Sequence, residues 1–336
     1  MDAVRKQYEG TNKWLKAPNG EDTNLTEKLW LAVRTPYFKK WAGDWENDPA
    51  NASKVLDENG EPLVVHHGTV GGEFYIFNRD FASIEGDMGA GFYFTNSSDD
   101  VGRNYEGGGP DFENKVARLA ERIQADEDID YEEAEKRARD ELFTEANLFD
   151  VFLDMKYPAE VKNTILFTDE DIEGEITDDI ADDDTEAWDE ARENALDDLA
   201  SRVIDRIEEE GYDVDRGSLG EIIFEAYYEG GINIPALKEK LNNLYIEDDE
   251  GNQAGNEVLR LMIDELGYDG IIDSTVSKKF KGMNLSPDTT HYIVFNPTQI
   301  KSATDNIGTY NPFRHVVFSS ASPLWNKCSF LTPLTA

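Results

Sequence analysis

VVHHGT, residues Val64 to Thr69, ends an apolar run on two histidines, a glycine and a threonine. The run begins as PLVVHH at Pro62, with the β-branched composition of a strand, and the DENG of Asp57 to Gly60 reads as the turn that feeds it. Residues at a strand end are well placed to line a cleft. Gly68 adds a second property there: with no side chain, its backbone N–H and C=O can approach a planar ligand closely. Downstream, GAGFYFT (Gly89 to Thr95) reads as a second strand. Its Tyr93 and Phe94 alternate faces, so one points to the core and the other faces the cleft. Twelve positions beyond Tyr93 lies Tyr105, a second aromatic available to sandwich a flat ring. Taken singly, each residue is a weak signal, better explained by a buried strand histidine or a core tyrosine.

Working outward, further strands are predicted at FDVFLDM from Phe149, DGIID from Asp269 and HYIVF from His291. Between the outer strands the pattern is helical. Trp188, Ala191, Ala195, Leu196, Leu199, Val203 and Ile207 recur at spacings of three and four, and another helical stretch runs from Glu113 to Glu145. Helices are also expected at Leu219 to Tyr228, Ile234 to Tyr245 and Glu257 to Leu266, the last ended by Gly267 as a C-cap. After about Pro312 both periodicity and acidity are lost, which reads as a tail.

Charge narrows the partners. Of the chain's 336 residues 71 are acidic and 32 basic, a formal net of −39, which disfavours direct binding to a nucleic-acid backbone because counterion release needs clustered Lys and Arg. Between Glu121 and Asp215 stand 36 acidic and 9 basic residues, so the excess is concentrated in the helical middle. A solubilising surface, adaptation to salt and a charged subdomain all account for it; so do a dock for a basic partner and mimicry of nucleic acid. No apolar stretch is long enough to span a membrane, and the N-terminus with Lys6, Glu9 and Lys13 lacks the core of a signal peptide. One cysteine, Cys328, and four histidines offer neither an internal disulfide nor zinc-ligand spacing, so a cytoplasmic protein without zinc is expected.

Two chemical motifs fail on inspection. DEDIEGEITDDI from Asp169 resembles a calcium loop at Asp169, Asp171, Glu173 and Gly174, but its twelfth position is Ile180 instead of a bidentate Glu. GDMGAG from Gly86 precedes a strand where a dinucleotide fingerprint would open a helix, so it reads as a loop beside the pocket.

The order HHGT, then GAGFYFTNSSDDVGRNY, then THYIVFNPTQI resembles the three blocks of the poly(ADP-ribose)-polymerase-like, diphtheria-toxin-type branch of ADP-ribosyltransferases. TPYFKKWAGDW, VLDENGEPLVVHHGT, GYDGII and YIVFNPTQIKSATDNIGTYNP further resemble the ADP-ribosyltransferase domains of phage and mobile-element polyvalent proteins. The resemblance implies an α+β domain over residues 35–312, with two small packed sheets and a cofactor cleft. A large acidic helical insertion at about 113–265 would interrupt it, after an N-terminal helical extension over 1–34 and before a C-terminal tail over 313–336. It also implies roles. His67 would hydrogen-bond the adenine-side ribose of NAD, the Gly68 backbone would pair with the nicotinamide carboxamide beside Thr69, and Tyr93 and Tyr105 would stack on the nicotinamide ring. His66, on the opposite strand face, is expected to be structural.

One departure bears on activity. Where the family's transferases often carry Glu before Tyr-Ile-Val, this chain has His291. A carboxylate there would stabilise the developing positive charge of the ribose, which a neutral imidazole does less well. Three accounts stay open: His291 accepts the ribose hydroxyl and limits transfer to one unit, Asp288 or Asp273 takes the role, or catalysis is lost. The expected function is mono-ADP-ribosyl transfer from NAD to a macromolecular target of a bacterial host, such as a basic protein. The alternatives are a catalytically inactive binding module, an acidic decoy for nucleic-acid-binding proteins, NAD hydrolysis, and removal of an RNA 2′-phosphate, for which the motifs offer few basic residues.

Overall fold

In the computed structural model the described residues are 1–69, 77–79, 82, 84, 86–104, 110–142, 147–172, 176, 185–248, 251–281 and 285–304. The chain divides into two compact units, one of Met1–Asn78, Tyr93–Lys156 and Ser274–Ala336, the other of Arg79–Phe92 and Tyr157–Asp273. No helix among the described residues is long and apolar enough to cross a membrane.

The first unit opens with helices α1 (Asp2–Tyr8), α2 (Glu27–Val33) and α3 (Pro36–Ala42). Thr26 and Thr35 cap α2 and α3, accepting from the backbone N–H of Leu29 and Phe38, and Pro36 starts α3 where no N–H is required. Gly43 ends α3 with φ +87°, and a Cβ there would stand 2.4 Å from Ala52 Cα, so only glycine fits. Between the two helices Arg34 is buried. Its guanidinium lies 3.9 Å from the Trp30 ring and 4.9 Å from the Trp45 ring, 2.7 Å from Glu61 Oε1 and 3.1 Å from Glu46 Oε1. This knot ties the N-terminal helices to the turn before the first strand, so the segment over 1–34 packs as part of the unit.

The unit continues with β1 (Val65–Thr69), β2 (Phe92–Thr95), α4 (Ser98–Asn104), α5 (Pro110–Glu127), α6 (Tyr131–Leu142) and β3 (Asn147–Leu153). Helices α5 and α6 bury Val116 and Ala120 against Ala134 and Ala138, small residues that allow close approach. Arg139 bridges them with two hydrogen bonds to Glu113, at 2.9 and 2.7 Å.

In the second unit β4 (Pro158–Glu160) and β5 (Ile165–Leu166) lead to α7 (Asp169–Ile172), α8 (Thr185–Glu209), α9 (Arg216–Tyr228), β6 (Ile232–Asn233), α10 (Ile234–Asn242), α11 (Gly255–Glu265) and β7 (Gly270–Asp273). β4 runs parallel to β7, and β5 pairs antiparallel with β6. Helix α8 buries Ala195, Leu196, Leu199, Val203 and Ile207 on one stripe, as its period predicts. Gly267 ends α11 as expected: with φ +87°, its N–H reaches Asp264 O, while the Tyr268 N–H reaches Ile263 O.

The chain then returns to the first unit through α12 (Val276–Lys279), β8 (His291–Val294) and β9 (Ile300–Ser302). In this unit the strands lie in the order β8-β2-β1-β3-β9. The α+β class is as expected, but these strands form one continuous row instead of two small facing sheets. β3 lies within the range assigned to a helical insertion and supplies a strand that pairs along all of β1. The stretch expected to be a tail, 313–336, lies outside the described residues.

Candidate functional site

Register assigns each residue of the VVHHGT stretch to a face. His66 pairs with Thr95 of β2 and Asp150 of β3, His67 with Phe149, Gly68 with Leu148 and Thr69 with Asn147. Because side chains alternate along a strand, Val65 and His67 share a face with Phe149 and Val151, while His66 and Gly68 share the other with Leu148, Asp150, Tyr93 and Thr95.

The His67 face is a core. Val65 and Val151 are fully buried, and the His67 ring stands 5.2 Å from Phe77 and 5.5 Å from Phe94. His67 Nδ1 donates to the carbonyl oxygen of Tyr93 at 2.8 Å. A carbonyl can only accept, so Nδ1 carries the proton of this bond. The structure therefore joins His67 to Tyr93 through the tyrosine's backbone; the ring beside His67 is that of Phe94, the partner alternation predicts for the core.

The opposite face closes at one end and opens at the other. Phe152 is buried beneath Phe38 of α3, their rings 5.3 Å apart and nearly perpendicular. Two residues back on β3 the Asp150 side chain is 34% exposed, and two further back Leu148 is 44% exposed, so the cover runs out toward Gly68. Gly68 and Tyr93 are half-buried on this same face. His66 Nδ1 donates to Asp150 Oδ1 at 2.7 Å. His66 thus has a partner on this face, as a structural histidine would, but the partner is a carboxylate one-third exposed.

The third block joins the second through two side chains. Asn96, just after β2, accepts from Thr290 N–H at 2.9 Å and donates to Asp288 O at 3.1 Å. Asp100, fully buried in α4, accepts from the Thr289 hydroxyl and from Ser286 N–H at 3.3 Å. These bonds hold the 286–290 turn against the end of β2 and set the start of β8, where His291 is half-buried. Tyr292 is buried, which pushes its hydroxyl pKa up to about 12 and keeps it neutral. The strand order β8-β2-β1 puts all three sequence blocks on neighbouring strands. Of the expected alternates to His291, Asp288 is exposed on the turn, while Asp273 is 1% exposed at the end of β7 in the second unit. Tyr105 lies outside the described residues.

The GDMGAG loop has its own explanation within the second unit. Ala90 N–H donates to Glu257 Oε2 at 2.6 Å, Asn256 Nδ2 donates to Gly86 O at 3.0 Å, and Lys238 Nζ holds Asp87 Oδ1 at 2.6 Å. Gly89 has φ +78°, and a Cβ there would fall 2.7 Å from Asn256 O. Gly89 lets the loop lie on α11, whose Glu257 is in turn gripped by the buried Arg260 at 2.7 Å. The calcium-like segment is likewise engaged in structure: Asp171, in the first turn of α7, reaches back to accept from the Thr168 N–H at 2.7 Å, and Asp169 accepts from Tyr227 Oη at 2.6 Å. Its Glu173, Gly174 and Ile180 lie outside the described residues.

The sequence reading missed Asp150, Leu148, Asn96 and Asp100. Asp150 carried a signal, as a lone carboxylate inside the apolar NLFDVFL run; the clamp residues are recognisable only once the turn they hold is in place.

The family model described as ADP-Ribosyltransferase in polyvalent proteins matches residues 57–229, more than half of the chain and including β1, β2 and β3. No curated protein and no solved structure gives a significant match.

Proposed function

Because this chain belongs to the family of ADP-ribosyltransferases in polyvalent proteins, we propose that it is a mono-ADP-ribosyltransferase that takes NAD as substrate and modifies a macromolecule of a bacterial host. The observation that carries this reading is the shared face of Gly68 and Tyr93, backed by the His67 bond that fixes the Tyr93 backbone. A glycine beside a tyrosine leaves a flat, side-chain-free strip next to an aromatic wall, which suits a planar carboxamide-bearing ring. Gly68 N–H and C=O are the donor and acceptor a carboxamide needs, with Thr69 beside them. Tyr105 is assigned the opposing wall on its place in the motif. His67 lies on the opposite face and acts from behind the strip, its Nδ1–H holding the Tyr93 carbonyl, so the contact to the adenine-side ribose that the resemblance implied is not assigned to it.

In the reaction the bond between the ribose C1′ and the nicotinamide nitrogen breaks, and its electron pair leaves with neutral nicotinamide. The C1′ centre takes the positive charge and is captured by a nucleophile on the target, which gives its proton to solvent. The chain's part is to orient the ring, exclude water from its faces and hold negative charge near C1′. The excess of acid between Glu121 and Asp215 favours a basic protein as the target. Activity is expected in the cytoplasm of that host.

Incubation with labelled NAD and bacterial lysate tests the reading: label on a macromolecule that disappears in Tyr93→Ala supports it. The replacement of the third-block Glu by His291 favours a second reading, a binding module or acidic decoy that retains the fold without turnover. NAD binding with neither label transfer nor nicotinamide release selects that one.

A further inference from the structure

The family's missing third-block carboxylate leaves a specific chemical gap, and the open face of β1 and β3 carries a group that fits it. Leu148 is the cross-strand partner of Gly68, and Asp150 follows two residues later on the same face. Asp150 is thus a near neighbour of the strip formed by Gly68 and Tyr93. Its carboxylate is one-third exposed, accessible from the side on which Leu148 is also open. Beyond it the face is closed by Phe152 under α3, so Asp150 stands where apolar cover gives way to solvent. β3 runs between β1 and β9, so its pairing on both sides fixes the backbone that carries Asp150. His66 supplies the partner: its Nδ1–H holds Oδ1 at 2.7 Å and fixes the side chain on the Gly68 face.

Resting on the reading that this face takes NAD, we propose that Asp150, positioned by His66, is the carboxylate that faces the nicotinamide-side ribose in place of the family's glutamate. Asp150 accepts a ribose hydroxyl and opposes the positive charge that develops at C1′ as neutral nicotinamide departs; its own protonation state is unchanged through the step. His66 acts through Asp150 and is a positioning residue. Asp288 and Asp273 lack this setting, the first on an exposed turn and the second buried in the other unit. Leu148 supplies an apolar edge beside Gly68 on which the nicotinamide rests.

The test uses the full chain and three readouts: NAD binding by calorimetry, nicotinamide release, and the thermal unfolding midpoint. Asp150→Asn keeps an oxygen that can accept from His66 but removes the charge. The expected result is an unchanged unfolding midpoint, NAD binding within a fewfold of the parent, and nicotinamide release slowed about 100-fold, the scale for losing one electrostatic contact to a transition state. Asp150→Glu retains the charge and is expected to keep release within about tenfold of the parent. His66→Gln, which can still donate to Asp150, is expected to retain more release than His66→Ala. Should Asp150→Asn fail to fold, the comparison of Asp150→Glu with His66→Ala still decides: equal release in both overturns the proposal. Parent-like release by folded Asp150→Asn overturns it while leaving the NAD reading standing. Failure of the parent protein to release nicotinamide removes the transferase reading, and this proposal with it.

Discussion

His67 Nδ1 donates to the carbonyl oxygen of Tyr93 across 2.8 Å, so the imidazole of one strand fixes the backbone of the next where the two meet a half-buried glycine. The bond crosses from β1 to β2 on the core face, while Gly68 and the Tyr93 ring belong to the other face. The histidine can therefore govern the shape of a binding strip from behind it.

Replacing His67 by Ala removes this bond and leaves a gap among Phe77, Phe94 and Phe149. The expected loss of stability is about 2 to 4 kcal/mol, as for a buried ring truncation. His67→Gln retains a donor and is expected to recover part of it; unfolding in urea measures both. An Ala variant as stable as the parent would remove the structural role assigned to the bond.

Arg34→Ala strands Glu61, which is fully buried and whose carboxyl pKa is already raised by burial. A loss of about 3 to 5 kcal/mol is expected, the usual consequence of leaving a buried charge unpaired. Thermal unfolding of Arg34→Ala and of the Arg34→Met, Glu61→Leu pair separates the unpaired charge from lost packing, since the double variant is expected to recover stability.

Lys301 on β9 is 2% exposed, and burial pushes its amine down to about 8 from 10.5, with Asp154 opposing. Between those values the unfolded chain binds a proton that the folded chain does not, so this group makes stability rise with pH across about 8 to 10.5. Below about 8 the full penalty for charging the buried amine is present, about 3 kcal/mol from the size of the shift. Lys301→Met is expected to be more stable at pH 7 and to flatten that rise. Lys156, 3.3 Å from Asp154, keeps the aspartate paired in the variant.

Asp100→Ala removes the acceptor for the Thr289 hydroxyl and Ser286 N–H and frees the turn ahead of β8. Faster amide exchange over 286–292 is the expected outcome, with NAD turnover falling more than global stability. Unchanged exchange would show that Asn96 alone holds the turn.

The local periodicities were legible: the alternation in FYFT, the three-four stripe of α8 and the Gly267 cap all follow from side-chain geometry within a few residues. The blocks around His67, Tyr93 and His291 were legible as a set only through their resemblance to a known family; the structure places their strands side by side. What escaped depends on distance along the chain. Arg34 meets Glu61 and Asp100 meets Thr289 only after folding, and each is an ordinary charged residue in its own window. The GDMGAG loop was read as lying beside the pocket, and its Gly89 meets Glu257 and Asn256, far away in sequence. Asp150 was hidden because the strand around it was read only for its apolar residues, and the division at residue 34 was drawn without sight of the knot that spans it.

Calorimetric titration of NAD into the parent protein and into Gly68→Val tests the central claim most directly. Valine suits a strand, so Gly68→Val is expected to fold, but it sets two methyl groups on the face shared with Tyr93 and Leu148. The account predicts saturable binding of NAD by the parent and at least about a tenfold loss in the variant, about 1.4 kcal/mol. Equal binding by both proteins would place NAD elsewhere and contradict the account.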